Sequence, residues 1–456
     1  MKPAPELRGG LPWAGHALAF HRDPIGLLER GRRQFGDIFS FQLAGRRVTV
    51  FTGPQANAAF FRAPDDQLSA KEAYQFTVPI FGKGVAYDVA PERMDEQLGF
   101  VFPALRDERL QAYARFMAEE AEQYFDRWGD EGEIDLLTAT NELTVFIAGR
   151  CLVGQEFRRN LSTEFARLYH ELEGGINLMA FFRPHLPLPS FRRRDQARVR
   201  MAELIGRVIA GRRAHGVEEE DFLDALMRAC YSDGRSLSED EITGLLLTLI
   251  FAGQHTSAVL AAWTGILLLA HPQYLPPVLH EQEEIAGAGS EMTLGMLRSM
   301  VVLDRAIREA ERMRPPLVML MRTILRDLEY GEFFAPAGGL AMVSPAVSHR
   351  IPEIFRDPEL YDPDRFAPGR EEDRQHKFAL IGFGGGKHRC IGLTFAYQQI
   401  KVIWSVLLRR FDLELANPSY EPNYSTFVVG PRQPCLIRYR AKRSRPVYSL
   451  PKVAHA

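Results

Sequence analysis

One cysteine closes the glycine-rich stretch FGGGKHRCIG, which runs from Phe383 to Gly392. The three consecutive glycines allow positive φ angles, so the backbone of this loop can approach a flat partner closely. The apolar pattern that follows predicts a helix beginning near Ile391, whose positive dipole end points back at the sulfur of Cys390. Both features favour the ionised form of a thiol, which is the form that binds metals. We therefore take this stretch as the centre of the predicted fold.

Three basic residues, Lys387, His388 and Arg389, precede the cysteine. A lone cysteine after a glycine-rich turn is more often a small buried side chain than a ligand. A thiolate in a basic loop, however, suits the axial position on a haem iron. The stretch resembles the haem-binding signature of the cytochrome P450 superfamily, Phe-x-x-Gly-x-(His/Arg)-x-Cys-x-Gly, and matches each fixed position. Gly382 stands where that superfamily commonly has proline, two residues before the glycine run.

The resemblance implies a haem b cofactor, with Cys390 as the metal ligand and O2 as a co-substrate. Phe383 and Gly384 of the loop would contact the cofactor, and His388 would hold one of its propionates. The resemblance also implies the cytochrome P450 fold, which is mainly helical with a small β lobe and has a long central helix over the haem.

The composition is that of an ordinary globular protein. The 456 residues are 46% hydrophobic and 25% charged, which is ample for a large core. We find no repeat, low-complexity tract or linker in the sequence, so we predict a single domain over residues 1–456. The formal net charge of −2 does not indicate a nucleic-acid partner.

The cysteines, Cys151, Cys230, Cys390 and Cys435, do not have the spacing of a metal finger. This usage is typical of a reducing compartment. Residues 1–22 contain several prolines and glycines and no apolar run approaching the roughly 18 residues that span a bilayer. We therefore expect neither a signal peptide nor a membrane anchor, and a cytoplasmic protein of bacterial type.

Alternating apolar and polar residues from Phe39 to Phe51, with Ala44-Gly45 at the centre, predict a β-hairpin. The small β lobe is predicted from three parts of the chain: 36–70, parts of 317–350, and 424–440. The last of these parts would form terminal strands. Phe427 lies at their tip and would close the pocket.

Residues 70–100 are dense in aromatic side chains and are broken by Pro79 and Gly82. Such a segment cannot present all its rings on one helix face, so it suits either the wall of an apolar pocket or an ordinary core. The pattern resembles the first substrate-recognition segment of the sterol 14α-demethylases, Tyr-x-Phe-x-x-Pro-x-Phe-Gly followed by an aromatic-Asp pair. By that resemblance the sterol site would be lined by Tyr74, Phe76, Phe81 and Tyr87. Tyr74 would also reach a haem propionate, for which Arg93 is the nearest basic candidate.

A long helix is predicted after Ser238. Ser238 and Glu241 have the spacing of a capping box, and helical periodicity continues to Leu269 before His271-Pro272 ends it. At ~1.5 Å per residue this helix would be on the order of 50 Å long. Because it is apolar nearly all round, it is predicted to be buried at the centre of the fold.

Within this helix the run from Ala252 to Thr256 reads AGQHT. It resembles the superfamily's Ala-Gly-x-acid-Thr oxygen-activation motif, with His255 in the acidic position, as in the sterol demethylases. The resemblance implies that Thr256 serves oxygen activation, that Ala252 contacts substrate and that His255 relays protons, since histidine titrates near neutrality. In that family the histidine pairs with an acidic residue of the lid, a position matched by Glu173. The alternative is a buried histidine without a function.

A second helix is predicted from Arg305 to Arg314. It places Glu309 and Arg312 on one face, because residues three apart are neighbours on a helix. An isolated Glu-x-x-Arg pattern carries no information by itself, but here Arg365 follows shortly before the cysteine loop. The three residues resemble the buried Glu-Arg-Arg triad of the superfamily. The implied role is structural, because the triad fixes the segment that carries Cys390.

Residues 317–322, which lie between the triad's second and third members, are expected to run along the haem. Leu320 and Met321 would face the pocket, and Arg322 would pair with a propionate. The stretch from Ser344 to Pro352 matches one that looks peculiar to the sterol demethylases.

Together these resemblances imply oxidative removal of the 14α-methyl group of a lanosterol-like sterol, using O2 and electrons from outside the chain. The sequence has no flavin or nicotinamide fingerprint and no cysteine cluster for an iron–sulfur centre. A separate ferredoxin and an NAD(P)H-dependent ferredoxin reductase are therefore the expected partners. Two alternatives stay open: a P450 monooxygenase that hydroxylates another terpenoid or lipid, and a non-enzymatic haem sensor.

Overall fold

Helices form most of the protein, as the sequence predicts. A computed structural model describes residues 1–176, 180–181, 183–215, 221–285 and 291–442. The longer helices are Pro24–Phe35, Pro54–Arg62, Pro91–Val101, Asp107–Phe125, Leu136–Ala148, Gln155–Glu173, Pro189–His215, Glu239–Ala270, Leu275–Ile285, Val301–Met313 and Leu393–Arg410. Shorter helices are Ala17–Arg22, Ala70–Ala73, Val78–Phe81, Phe222–Arg228, Leu294–Ser299 and Pro345–Ser348.

The main sheet contains the predicted hairpin. Its strands, in spatial order, are Ile38–Leu43, Arg46–Phe51, Leu340–Val343, Leu320–Ile324 and Leu68–Ser69. The hairpin is confirmed, because Ile38 pairs with Phe51 and the turn residues Ala44 and Gly45 have positive φ. A second sheet contains Lys2–Pro3, Phe333–Ala335 and Leu328–Tyr330.

The strands predicted over 424–440 are only partly confirmed. One strand, Leu436–Ala441, pairs with Phe411–Leu415 and Glu131–Asp135 in a separate sheet. Residues 424–430 lie outside any strand. Prolines at 422, 431 and 434 flank this part of the chain, and a proline cannot donate to a strand ladder. Phe427 lies in a bend at the tip of a loop that one antiparallel bridge, between Pro422 and Pro431, closes.

The central helix, Glu239–Ala270, begins and ends close to where the sequence predicts. Ser238 is its N-cap. The capping box is complete, because the Ser238 hydroxyl accepts from the Glu241 N–H and the Glu241 carboxylate accepts from the Ser238 N–H. The helix packs against Leu136–Ala148, Val301–Met313 and Leu393–Arg410. At ~1.5 Å per residue it is about 48 Å long, so it crosses the molecule.

Three helical segments are long and apolar enough to cross a membrane by length and composition alone: Leu136–Val153, Glu239–Ala270 and Gly386–Arg410. In these segments 78%, 61% and 72% of the apolar window is buried inside the protein. Burial of this extent is what the helical core requires.

Candidate active site

The ligand loop, residues 382–392, has a backbone that requires glycine. Gly384 and Gly386 have φ angles of 70° and 64°, which side-chain-bearing residues rarely adopt. A Cβ at Gly386 would also lie 2.3 Å from the carbonyl oxygen of Phe61. The prediction that glycines give this loop its positive φ angles is confirmed.

Cys390 is exposed. Surrounding protein nevertheless desolvates its thiol and so raises the thiol pKa. Together these facts place the sulfur at an opening inside the protein. The following helix begins at Leu393, two residues later than predicted, with Gly392 as its N-cap. The N–H groups of Gly392 and Leu393 lower the thiol pKa, but desolvation is the larger effect and the net pKa is raised. In the absence of a metal, burial therefore outweighs the two N–H groups in setting the pKa of this thiol. A bound metal cation is what removes the proton from such a ligand.

Two tyrosines and an arginine lie close to this thiol. The rings of Tyr74 and Tyr87 stack with centroids 5.0 Å apart, and the Tyr74 hydroxyl accepts from the Met321 N–H at 3.4 Å. Burial raises the pKa of the Tyr87 hydroxyl. The nearby Tyr74 and Cys390 raise it further, whereas Arg322 lowers it. Because each of these groups affects the pKa of Tyr87, the two rings, the guanidinium and the thiol lie near one another.

Arg322 belongs to a group of basic side chains around one carboxylate. Its side chain is 3% exposed, and its Nη1 donates to the carbonyl oxygen of Phe60 at 3.1 Å. Burial lowers the pKa of Arg322, whereas nearby Asp65, which the sequence analysis missed, raises it. Asp65 also binds His388 Nε2 at 2.5 Å and Lys387 Nζ at 2.8 Å. Three basic groups thus converge where an anionic propionate would be recognised.

Arg93 is not part of this group. Its guanidinium binds Glu96 at 3.0 Å and Asp233 at 3.1 Å, and it lies 4.1 Å from the ring centroid of Tyr231. Two carboxylates already compensate its charge, and neither belongs to the cluster around Arg322. The structure therefore does not bring Arg93 to the propionate position expected from the sequence.

Four of the aromatic residues expected at the substrate pocket, Tyr74, Phe76, Tyr87 and Phe427, form one group of neighbouring rings, the aromatic wall. The ring of Phe76 lies at its centre and is 4% exposed. Its centroid lies 5.6–5.9 Å from those of Tyr74, Phe181 and Phe427. Phe81 lies 6.0 Å from Phe251 of the central helix. Phe181 and Phe251 were missed because nothing in the local sequence marks two separate helical segments as neighbours.

Leu320 and Met321 lie on opposite faces of one strand, because successive side chains alternate. Leu320 is half-buried, on the same face as Arg322. Met321 is 4% exposed and belongs to the core cluster that contains Phe41. The prediction that both side chains face the pocket is therefore wrong for Met321, which reaches Tyr74 only through its backbone N–H.

The central helix is exposed at Ala252, although most of its residues are buried. Exposure in the middle of a buried helix marks the side that borders an internal opening. One turn later, the hydroxyl of Thr256 donates to the carbonyl oxygen of Ala252 at 2.7 Å. This bond back into the helix is the local feature expected from the sequence.

His255 and Glu173 are brought together as predicted. Nδ1 of His255 lies 3.0 Å from Oε1 of Glu173. The ring N–H is not aligned on that oxygen, so the contact is an ion-pair approach and not a directed hydrogen bond. Glu173 ends the helix Gln155–Glu173 and lies 3.8 Å from His170 as well. Its carboxylate thus lies within ion-pair distance of the His255 imidazole.

The predicted Glu-Arg-Arg triad is confirmed. Arg312 binds Glu309 through two bonds of 2.7 and 2.8 Å, and Arg365 Nε lies 3.0 Å from both carboxylate oxygens. All three side chains are fully buried. Glu372, which was missed, accepts from Arg365 Nη1 at 2.6 Å. Two buried cations thus face two buried carboxylates, and this network ties Val301–Met313 to the segment before the ligand loop.

A second missed residue, His349, connects the triad to the ligand loop. Its Nε2 accepts from the Ile381 N–H at 2.8 Å, and its Nδ1 lies 3.3 Å from the carbonyl oxygen of Arg312. Burial and the neighbouring Arg312 lower the pKa of His349 to about 3. The ring is therefore neutral and carries its proton on Nδ1. This contact gives the stretch Ser344–Pro352 a structural role.

The fold and the cysteine loop define a class of haem-thiolate proteins. A sequence model described as "Cytochrome P450" matches residues 5–437, and the chain belongs to the cytochrome P450 family. A relative named "Sterol 14-demethylase" from Arabidopsis thaliana is 41% identical over 96% of this chain and 91% of that protein. "Sterol 14alpha-demethylase" from Mycobacterium tuberculosis is 41% identical over 96% of this chain and 98% of that protein. "Lanosterol 14-alpha demethylase" from Bos taurus is 37% identical over 97% and 88%. These relatives place the chain among the sterol 14-demethylases of that family.

A solved structure supports the fold separately. "Retinoic acid bound cyanobacterial CYP120A1" superposes with a TM-score of 0.85 over 97% of this chain and 100% of that chain. At 24% identity this likeness shows the fold alone. It confirms the predicted P450 fold, with a long helix at the centre and a small sheet region.

Proposed function

We propose that this protein is a haem-thiolate monooxygenase that removes the 14α-methyl group of a lanosterol-like sterol. The observation that carries the proposal is the contact between His255 and Glu173 beside Thr256. A relay of this composition was expected only from the resemblance to sterol demethylases. The names of the relatives support the same reaction.

The residues around Cys390 suit haem b, which the family implies. The thiol borders an internal opening, and Tyr74, Tyr87 and Arg322 lie close to it. Arg322, Tyr74 and His388 would hold the propionates. When bound, the haem supplies reductive activation of O2, and the remaining work falls to side chains of this protein.

The aromatic wall would hold the sterol. Tyr74, Phe76, Tyr87 and Phe427 offer a large, rigid apolar surface, which suits a flat and nearly apolar substrate. Phe81 and Leu320 would extend this surface. Ala252 has a small side chain on the exposed side of the central helix, so it leaves space for the substrate.

Thr256, His255 and Glu173 would manage protons. His255 would pass protons to the pocket, and the Glu173 carboxylate, 3.0 Å from its Nδ1, would supply them. Thr256 would supply a hydroxyl next to the site of oxygen activation. Its bond to the Ala252 carbonyl fixes the position of that hydroxyl.

Electrons would come from a separate ferredoxin and an NAD(P)H-dependent ferredoxin reductase. We place the protein in the cytoplasm, which its few, widely separated cysteines support because such usage is typical of a reducing compartment.

The proposal is tested with purified, haem-loaded protein, a surrogate ferredoxin system and lanosterol or obtusifoliol. We expect a substrate-binding spectral shift, and mass spectrometry should detect the demethylated sterol and formate. Turnover of other terpenoids with no sterol binding would favour the hydroxylase alternative. The absence of any turnover would favour the sensor.

The chain offers a matched pair of variants for this test. Thr256→Ala and Thr264→Ala each remove a hydroxyl that donates 2.7 Å to the carbonyl one turn earlier in the same helix. Thr264 is fully buried in the core, whereas Thr256 is half-buried near Ala252. We expect only Thr256→Ala to uncouple turnover from electron supply. Equal effects of both changes would contradict the proposed role.

A further inference from the structure

Glu311 is a buried carboxyl group that the proposed mechanism does not use. Its side chain is 3% exposed and accepts a hydrogen bond from the Tyr397 hydroxyl at 2.5 Å. Within the described part of the chain, no cation forms an ion pair with it. The nearest cationic neighbour on its helix, Arg308, binds Asp373 at 2.6 Å instead. A buried carboxyl without a cation is costly, so its place in the fold requires an explanation.

This carboxyl lies against the back of the ligand loop. A Cβ at Gly382 would lie 2.4 Å from Oε1 of Glu311, so the carboxyl fills space next to the loop backbone. The following residue, Phe383, accepts the N–H of Cys390 at 2.9 Å, and its ring lies 5.6 Å from that of Tyr397. Glu311 is thus separated from the ligand residue by a single layer of contacts.

Glu311 also lines a surface groove of about 640 Å³. The groove lies between the helices Val301–Met313 and Leu393–Arg410 and the ligand loop, so protons from solvent can reach the carboxyl. The other charged and titratable side chains that line the groove are Arg298, Asp304, Arg308, Asp373, Arg374, His376, Lys377, Arg389, Tyr397 and Lys401. Cys390 does not line the groove, but Glu311 interacts with it electrostatically.

We propose that Glu311 is a tuning residue for the Cys390 ligand: its protonation state, set from the groove, controls how readily the iron accepts an electron. The proposal rests on the proposed function, in which Cys390 binds haem.

The sign of the effect follows from electrostatics. Burial raises the pKa of Glu311 to about 7, and the ionised carboxyl in turn raises the pKa of the Cys390 thiol. A second negative charge beside the ligand therefore opposes reduction. When the iron takes one electron from a ferredoxin-class donor, the carboxylate takes one proton from solvent, which balances the added charge. Reduction is then easier below the pKa of Glu311 than above it.

The test is the reduction potential of the haem-loaded protein, measured by spectroelectrochemistry from pH 6 to pH 8. Between pH 6 and pH 8, the equilibrium constant for reduction should fall about tenfold more in wild type than in Glu311→Gln. For one electron, the reduction potential of wild type should therefore fall by ~59 mV more than that of the variant. The variant Glu281→Gln, which loses a buried carboxyl of the helix Leu275–Ile285 away from the groove, should retain the wild-type slope. Equal slopes in wild type and Glu311→Gln would overturn the proposal.

Two further variants keep the carboxyl and move its titration. Tyr397→Phe removes a hydrogen bond that lowers the pKa of Glu311. The steep part of the curve of reduction potential against pH should therefore move to higher pH. Asp304→Asn removes a like charge that raises this pKa, so the steep part should move to lower pH. A curve that stays in place in both variants would also overturn the proposal.

The carbonyl adduct of each reduced sample separates this inference from the proposed function. If wild type shows the red-shifted thiolate band while its slope matches that of Glu311→Gln, only the role of Glu311 is lost. If wild type lacks the band, the assignment of Cys390 fails, and the proposal for Glu311 fails with it.

Discussion

Substitution of Gly386 by alanine tests how the ligand loop is held. The φ angle of 64° at this position costs about 1–2 kcal/mol for a residue with a Cβ. The new Cβ would also lie 2.3 Å from a backbone oxygen of Phe61, which cannot rotate away as a side chain can. Overpacking of this kind typically costs about 1–3 kcal/mol. The two effects together predict a loss of roughly 2–5 kcal/mol in the free energy of unfolding.

Gly369→Ala is the matched control. Gly369 has a φ of 89°, but no atom lies within 4 Å of its virtual Cβ, so this change should cost only about 1–2 kcal/mol. Urea unfolding of both haem-loaded variants measures the difference. We also expect Gly386→Ala to bind less haem, because the loop must shift away from Phe61. The reasoning is refuted if the two variants are equally stable and retain equal amounts of haem.

Three further predictions concern charged groups. Arg365→Leu removes a buried cation that Glu309 and Glu372 share, and it should cost about 3–5 kcal/mol by urea unfolding, whereas Arg374→Leu, whose side chain is 69% exposed, should cost no more than about 0.5 kcal/mol. Hydrogen bonding to Arg235 lowers the pKa of Glu241 from 4.5 to about 2. The ionised Glu241 carboxylate therefore adds to the free energy of unfolding above pH 4.5, and this contribution is lost as the pH falls towards 2. Glu241→Gln should flatten acid unfolding in that window, and an unchanged curve would count against the assignment. Glu173→Gln should lower the rate of sterol turnover, because His255 loses the carboxylate that lies 3.0 Å from its Nδ1. An unchanged rate would mean that this carboxylate does not support the relay.

The features predicted correctly from the sequence are those encoded locally. The capping box at Ser238, the hairpin turn at Ala44 and the glycines of the ligand loop depend on a few neighbouring residues. The Glu309–Arg312 pair follows from helical spacing, whereas Arg365, the third member of the triad, was assigned from a family resemblance. The same resemblance predicted that Glu173 lies beside His255 of the central helix.

The errors arise where tertiary contacts outweigh local pattern. Met321 was assigned to the pocket because it adjoins Leu320, but the strand turns its side chain into the core. Arg93 was assigned to a propionate because it was the nearest basic residue in sequence, whereas two carboxylates bind it elsewhere.

Asp65 and His349 were missed for a related reason. Each acts across more than 30 positions of sequence, on His388 and Ile381 respectively. No local pattern around either residue indicates such a partner.

The most direct test of the central claim is the absorption spectrum of the reduced carbonyl adduct in Cys390→Ser and in Cys230→Ser. Cys230 is the other exposed cysteine among the described residues. If the sulfur of Cys390 is the axial ligand, wild type and Cys230→Ser show the red-shifted thiolate band and Cys390→Ser does not. A thiolate band that survives in Cys390→Ser, or is absent from wild type, would contradict the account.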